Sequence, residues 1–322
     1  MTRVRLPLPV DFSFDGVVRS HGWYDLPPFV YERGSGVLKT VVDRDPHTPS
    51  LSRGERGKAG DPLTPSLSRG ERGKAAGKAA AISFRVRGGR LEAESDSLDR
   101  DALSRIARRV FSLDVDLDAF ALTIAGEPDL ARALASGRGR ILRAPTLFED
   151  AVKMLFTTNC SWAATKGMVV RLIATAGAEG AAFPTAAAVA SLSAAKLKAK
   201  IRCGYRAESL ARLARRVARG ELDLAQWERG GAAAEEVRVA IRSEHGFGPY
   251  AAEGLLRILG RHDFFAIDSW VRQEYRRRHP GPRRTTDRAI ARRYARYGVH
   301  RGLALWLDMT SHWHDGSQSL DS

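Results

Sequence analysis

The feature that most constrains this chain is a change of hydrophobic period near residue 98. Before it, FVYERGSGVLKTVVD (29–43) is two short β-rich runs around a Gly-Ser-Gly turn, and ISFRVRGGRLEAES (82–95) alternates apolar and polar residues about a Gly-Gly turn. Both read as hairpins. Residues 1–95 are therefore expected to form a small antiparallel sheet, with an irregular aromatic segment around Trp23, Tyr24, Pro27 and Pro28. From Leu98 onward apolar residues recur every three or four positions, as in DALSRIARRVFSL, TLFEDAVKMLFTT, TAAAVASLSAAKLKAKI, ESLARLARRVARG and PYAAEGLLRIL. That is the helical period. The expected fold class is α+β, mostly α, with a β-rich N-terminal domain (1–95) and a helical domain (96–322).

One stretch fits neither pattern. DPHTPSLSRGERGKAG (45–60) is followed at once by its near copy DPLTPSLSRGERGKAA (61–76). The unit has almost no core-forming side chain and cannot offset its own ordering entropy. Two copies are too few for a solenoid. Residues 44–80 are expected to be a disordered insertion in a loop joining two strands.

The charge balance points to a polyanion. The 52 Lys and Arg outnumber 37 Asp and Glu, for a net charge of +15, and nucleic acid is the commonest partner of such an excess. Arginine and tyrosine interleave in VRQEYRRRHPGPRRTTDRAIARRYARYGVHR (271–301). No apolar run reaches the roughly 18 residues of a membrane span, and the N-terminus lacks a signal-peptide core. A cytoplasmic, nucleoid-associated monomer is expected. Cys160 and Cys203 are not paired in a CxxC motif and the histidines show no ligand spacing, so no metal site is expected.

Candidate chemistry gathers in HGFGPYAAEGLLRILGRHDFFAIDSWVR (245–272). Gly246 and Gly248 form a tight turn between two helices, with Pro249 at the first position of the second. Such a turn can press its amides on a phosphate, although an ordinary helical hairpin would look the same. Asp268, ahead of Ser-Trp-Val, makes a good helix N-cap. The same carboxylate could also stabilise the cationic sugar that develops as a glycosidic bond breaks, or orient the attacking water.

Residues 145–310 resemble the helix-hairpin-helix–GPD superfamily of DNA glycosylases, in particular its 8-oxoguanine and 3-methyladenine branches. The resemblance rests on four ordered segments: APTLFEDAVKMLFTTNCSWAATKGMVVRL (144–172), GYRAESL (204–210), GFGPYAAEGLL (246–256) and IDSWV (267–271). It implies a helical body with a β-rich N-terminal domain and a double-stranded DNA substrate holding a damaged base. It also implies site roles. Asp268 matches the catalytic aspartate, and Gly246 and Gly248 the glycines whose amides hold the DNA backbone. A monovalent cation can sit on nearby hairpin carbonyls, and no other cofactor is required. Asn159 matches a residue beside the gap left by the flipped nucleotide, Tyr205 the wedge that fills it, and Arg206 the contact to the orphaned base.

Departures from the pattern matter as much. Bifunctional members carry a lysine where this chain has Tyr250, and no lysine follows Lys200. A Schiff base needs an amine, so a monofunctional hydrolase that leaves an abasic site is expected. The alternatives are a bifunctional glycosylase/lyase of the 8-oxoguanine type and a non-catalytic hairpin protein that only binds DNA. Leu305 and Met309 stand where the 8-oxoguanine branch reads its base, and Ala164 where it has a second arginine. Trp162, Trp270, Trp306 and Trp313, with Trp23 and Tyr24, are candidate stacking faces for an electron-poor alkylated purine; core packing is the simpler role for each alone.

Overall fold

The computed structural model describes residues 1–44, 77–281 and 285–314. Alternation of buried and exposed residues generates five strands: β1 (Thr2–Pro7), β2 (Val30–Glu32), β3 (Val37–Asp43), β4 (Ala79–Arg87) and β5 (Arg90–Ser95). They pair antiparallel in the order β1-β5-β4-β3-β2. Leu38 and Val42 of β3, Ala80, Ile82 and Phe84 of β4, and Leu91 and Ala93 of β5 turn inward. On the other face Glu92 is ringed by Arg5 (3.0 Å) and Arg85 (2.6 Å). The edge strand β1 was not anticipated, although its Val4 and Leu6 alternate with arginines in the same way.

The limits expected for the insertion need correcting. Asp43 pairs with Ala79, and the Arg44 N–H donates to the Lys78 carbonyl at 2.8 Å. Arg44 and residues 77–80 therefore continue the β3–β4 hairpin, because their backbone groups find partners across it. The repeat itself, 45–76, lies outside the described residues.

After the short α1 (Phe14–Val18), the helical part begins with α2 (Arg100–Val110), which lies against β1 and β5. Then follow α3 (Asp118–Thr123), α4 (Pro128–Ala135), α5 (Leu147–Thr157), α6 (Trp162–Ala176), α7 (Ala186–Ala190) and α8 (Ala194–Ile201). Next come α9 (Arg206–Ala218), α10 (Ala225–Glu228), α11 (Ala234–Ser243), α12 (Pro249–Ile258), α13 (Ser269–Arg278), α14 (Asp287–Tyr294) and α15 (Arg301–Met309). Side-chain caps fix many of the starts. Asp99, Thr146, Ser161, Thr185, Ser193, Asp268 and Thr286 each accept from an amide in the first turn, satisfying a donor the helix leaves over. Ser193 explains why 185–201, read as one helical run, is two helices.

Helix α5 is the axis of the body, packed against α6, α9 and α12 and buried from Leu147 to Phe156. It therefore buries two opposite charges, Glu149 and Lys153, one turn apart at 2.6 Å. The geometry is poor for a hydrogen bond, so charge attraction and the Phe29 ring, 4.9 Å from Lys153 Nζ, hold the ammonium. Its neighbour Asp150 ties the N-terminal segment to the body, accepting from Trp23 Nε1 (2.7 Å), the Ala144 amide (2.9 Å) and Arg109 (2.9 Å).

Two buried histidines give the fold a pH dependence. Burial lowers the pKa of both His21 and His262 to about 3, with Arg257 adding to the effect on each. Unfolded histidine binds a proton near pH 6.5, so protons favour the unfolded chain between roughly pH 6.5 and 3, and stability falls as pH falls through that window. Neither ring nitrogen of His262 has a hydrogen-bond partner, so His262→Leu removes this titration without breaking a bond. Denaturant melts should show the wild-type loss between pH 6.5 and 4.5 shrinking by about 2 kcal/mol in the variant. Superimposable pH profiles would refute the assignment.

Candidate active site

Helices α11 and α12 are joined by Glu244, His245, Gly246, Phe247 and Gly248. Phe247 is buried and anchors the turn, while the two glycines on either side are exposed. Gly246 has φ of +90°, and a Cβ there would run into the Ser209 side chain and approach Leu155 Cδ1 to 3.0 Å. Packing requires that glycine. Gly248 differs: it is extended, and a Cβ there would meet nothing within 4 Å. Its small size leaves open the approach to the N-terminal end of α12, where first-turn amides lack intrahelical acceptors.

Asp268 lies at the end of the loop that follows α12. It caps α13, with one carboxylate oxygen accepting from the Val271 amide at 2.7 Å. The Tyr250 phenol, in the first turn of α12, lies near Asp268 and Thr157, close enough to feel the Asp268 charge. Burial, and then the Asp268 charge, raise the Tyr250 pKa, keeping the phenol protonated. Half-buried Asp268 thus lies near Tyr250, which is two residues past Gly248.

Arg257 lies two turns further along α12. Its guanidinium carbon sits 3.7 Å from the centroid of the Trp306 ring. Burial lowers its pKa, while Tyr250 and Asp268 act in the opposite direction. Trp306 donates to the Ser20 carbonyl at 2.9 Å and packs with Trp270 and Trp313, each with its centroid 5.7 Å away.

The remaining candidate residues occupy varied settings. Tyr205 is 61% exposed at the start of α9. Its hydroxyl accepts from Asn159 Nδ2 at 3.3 Å, and Asn159 itself is exposed with φ of +46°. Arg206 is buried, bonded to the Thr158 hydroxyl and carbonyl and packed under the Tyr205 ring. Trp162 donates to Asp25 at 2.8 Å and lies on Gly22, which occupies it with the N-terminal segment. Leu305 and Met309 are core residues, Met309 fully buried.

In the basic stripe, Arg272, Arg277 and Arg278 pair with Asp287, Glu274 and Asp308. Arg276, Arg288, Arg292 and Arg293 are exposed without an ion-pair partner among the described residues. A surface hollow of about 650 Å³ shares no residue with this site; Asp11, Asp114, Asp116 and Asp118 line it, which suits no polyanion.

No protein-family model matches the sequence, and no curated protein is recognisably similar to it. Comparison of structures gives a different result. MBOgg1 in complex with a low-affinity DNA ligand matches with a TM-score of 0.67 and 19% identity, over 98% of this chain and 100% of that one. The Archaeoglobus fulgidus 3-methyladenine DNA glycosylase gives 0.65 and 19%, over 97% and 99%. The Clostridium acetobutylicum 8-oxoguanine glycosylase/lyase, bound to double-stranded DNA with cytosine opposite 8-oxoguanine, gives 0.64 and 14%, over 95% and 93%. The chain has the DNA glycosylase fold. The likeness covers sheet and helices together, which the four sequence segments did not reach. Within this glycosylase fold, sequence reasoning passed over Arg257, although an arginine inside the apolar run Leu255-Leu256-Arg257-Ile258 was a visible signal.

Proposed function

We propose that the chain is a monofunctional DNA glycosylase that flips a damaged purine from double-stranded DNA and hydrolyses its N-glycosidic bond, with Asp268 as the catalytic carboxylate. The observation that carries this reading is that Asp268 caps α13 while lying close enough to the first turn of α12 for its charge to act on Tyr250. A fixed anion beside an anion-binding helix end is awkward for a protein that only binds phosphates. It suits one that must stabilise positive charge on a sugar held against that end.

In this scheme the amides at the start of α12 hold a phosphate, and the exposed arginines of α13 and α14 neutralise others. Tyr205, steadied by Asn159, fills the space vacated by the extruded nucleotide and offsets the cost of unstacking. As the C1′–N bond breaks, its electron pair goes to the base and Asp268 faces the developing oxocarbenium ion. Water then bonds to C1′ and gives its proton to the Asp268 carboxylate, which returns it to solvent, while the departing base takes up a proton from solvent.

The segment that carries Asp268 offers no lysine to start lyase chemistry. No lysine follows Lys200, Lys153 is fully buried against Glu149, and the protonated Tyr250 phenol forms no Schiff base. Among duplexes that each carry one lesion (3-methyladenine, 7-methylguanine, hypoxanthine, uracil or 8-oxoguanine), at least one purine lesion should be released as free base, leaving a strand that breaks only after alkali, and uracil should stay in place. Borohydride should trap no protein–DNA adduct. A trapped adduct would refute the monofunctional reading, and release of no base from any duplex would refute the glycosylase.

A further inference from the structure

We propose, building on the glycosylase reading, that Arg257 determines specificity, selecting neutral purine lesions with acceptor atoms on their edge over purines made cationic by alkylation. Three observations place it. Tyr250, Gly254 and Arg257 lie at i, i+4 and i+7 of α12 and share one face, and helical side chains lean toward the N-terminus, here toward Asp268. The guanidinium makes no hydrogen bond or ion pair among the described residues, and its Nε is buried without a partner. The side chain is nevertheless partly exposed, so its terminal N–H groups remain available.

A buried donor left unmatched is costly, and it persists where a ligand completes it. The surroundings sharpen the choice of ligand. One face of Trp306 is already taken by the guanidinium, so a cationic base drawn to that face meets a like charge. His21 and His262, both of which feel the Arg257 charge, are held neutral by burial. Asp268 lies close enough for its charge to favour the guanidinium cation.

A neutral purine gains twice here. Guanidinium donors match acceptors such as O6 and N7 of hypoxanthine or O6 and O8 of 8-oxoguanine. The base also departs with the glycosidic electron pair, so negative charge grows where the cation stands. An alkylated cationic base departs neutral and gains nothing from it.

The test compares single-turnover base release from duplexes containing hypoxanthine, 8-oxoguanine or 7-methylguanine, using wild type, Arg257→Met and Arg257→Lys. Binding to the matching 2′-fluoro duplexes, whose glycosidic bond resists hydrolysis, gives a readout independent of turnover. Arg257→Met should lower release of the neutral purine by roughly 10- to 100-fold and spare 7-methylguanine, so the ratio of the two rates shifts by the same factor. Arg257→Lys should recover part of the neutral-purine rate, since it restores the charge and not the fork. If the wild type releases bases but the ratio is unmoved in both variants, Arg257 has no such role and the glycosylase reading stands. If the wild type releases none, that reading falls and this assignment with it.

Discussion

Lys153→Met should destabilise the protein by about 3–5 kcal/mol in denaturant unfolding at neutral pH. The variant keeps the length of the side chain and its packing against Phe29, and removes only the ammonium that faces Glu149 at 2.6 Å. Burial already raises the Glu149 pKa, with Lys153 opposing that rise. Without Lys153 the carboxylate must be buried uncompensated or take up a proton on folding. The sign then follows from linkage: a folded-state pKa above the unfolded value adds stability as pH falls, so the defect should shrink in acid. Pairing the substitution with Glu149→Leu should restore most of the loss, because replacing both charges by apolar groups leaves nothing unpaired. A single variant as stable as wild type would show that the pair is not buried as described.

That pair also shows where the sequence was readable and where it was not. TLFEDAVKMLFTT announces a helix, and Glu149 and Lys153 are spaced as an ordinary surface ion pair. Their burial arises because α6, α9 and α12 enclose α5, and three-sided enclosure leaves no mark on the helix's own period. The hairpin and Asp268 were legible because their signals are local: a Gly-x-Gly-Pro turn, and an aspartate before a helix start. The neighbours that give them chemical meaning, Tyr250 near Asp268 and Arg257 over Trp306, join segments 18 to 49 residues apart by their numbering. The aromatic residues show the same limit. The sequence offered five tryptophans and Tyr24 as stacking faces, but Trp23 is held by Asp150 and Trp162 by Asp25, partners no spacing rule connects. The sheet was legible as two hairpins; β1 was missed because a lone edge strand has no turn of its own to announce it.

The largest effect on activity is expected at Asp268, and one substitution separates its two roles. As an N-cap, the side chain needs only an oxygen to accept from the Val271 amide at 2.7 Å. Asparagine supplies that oxygen about equally well, so Asp268→Asn should leave stability and duplex affinity close to wild type. As the group facing a cationic sugar, it needs negative charge, which asparagine lacks. Loss of a positioned charge or base of this kind costs roughly 10²- to 10⁴-fold in rate. Asp268→Ala, by contrast, loses the cap as well and should melt lower, by about 1 kcal/mol.

The decisive measurement is single-turnover base release by Asp268→Asn, at enzyme concentrations that saturate the duplex, from the lesion the wild type excises fastest. The account expects bound DNA, an unchanged melting transition and a rate reduced by roughly 10²-fold or more. Release at the wild-type rate would contradict it and leave Asp268 as a helix cap alone.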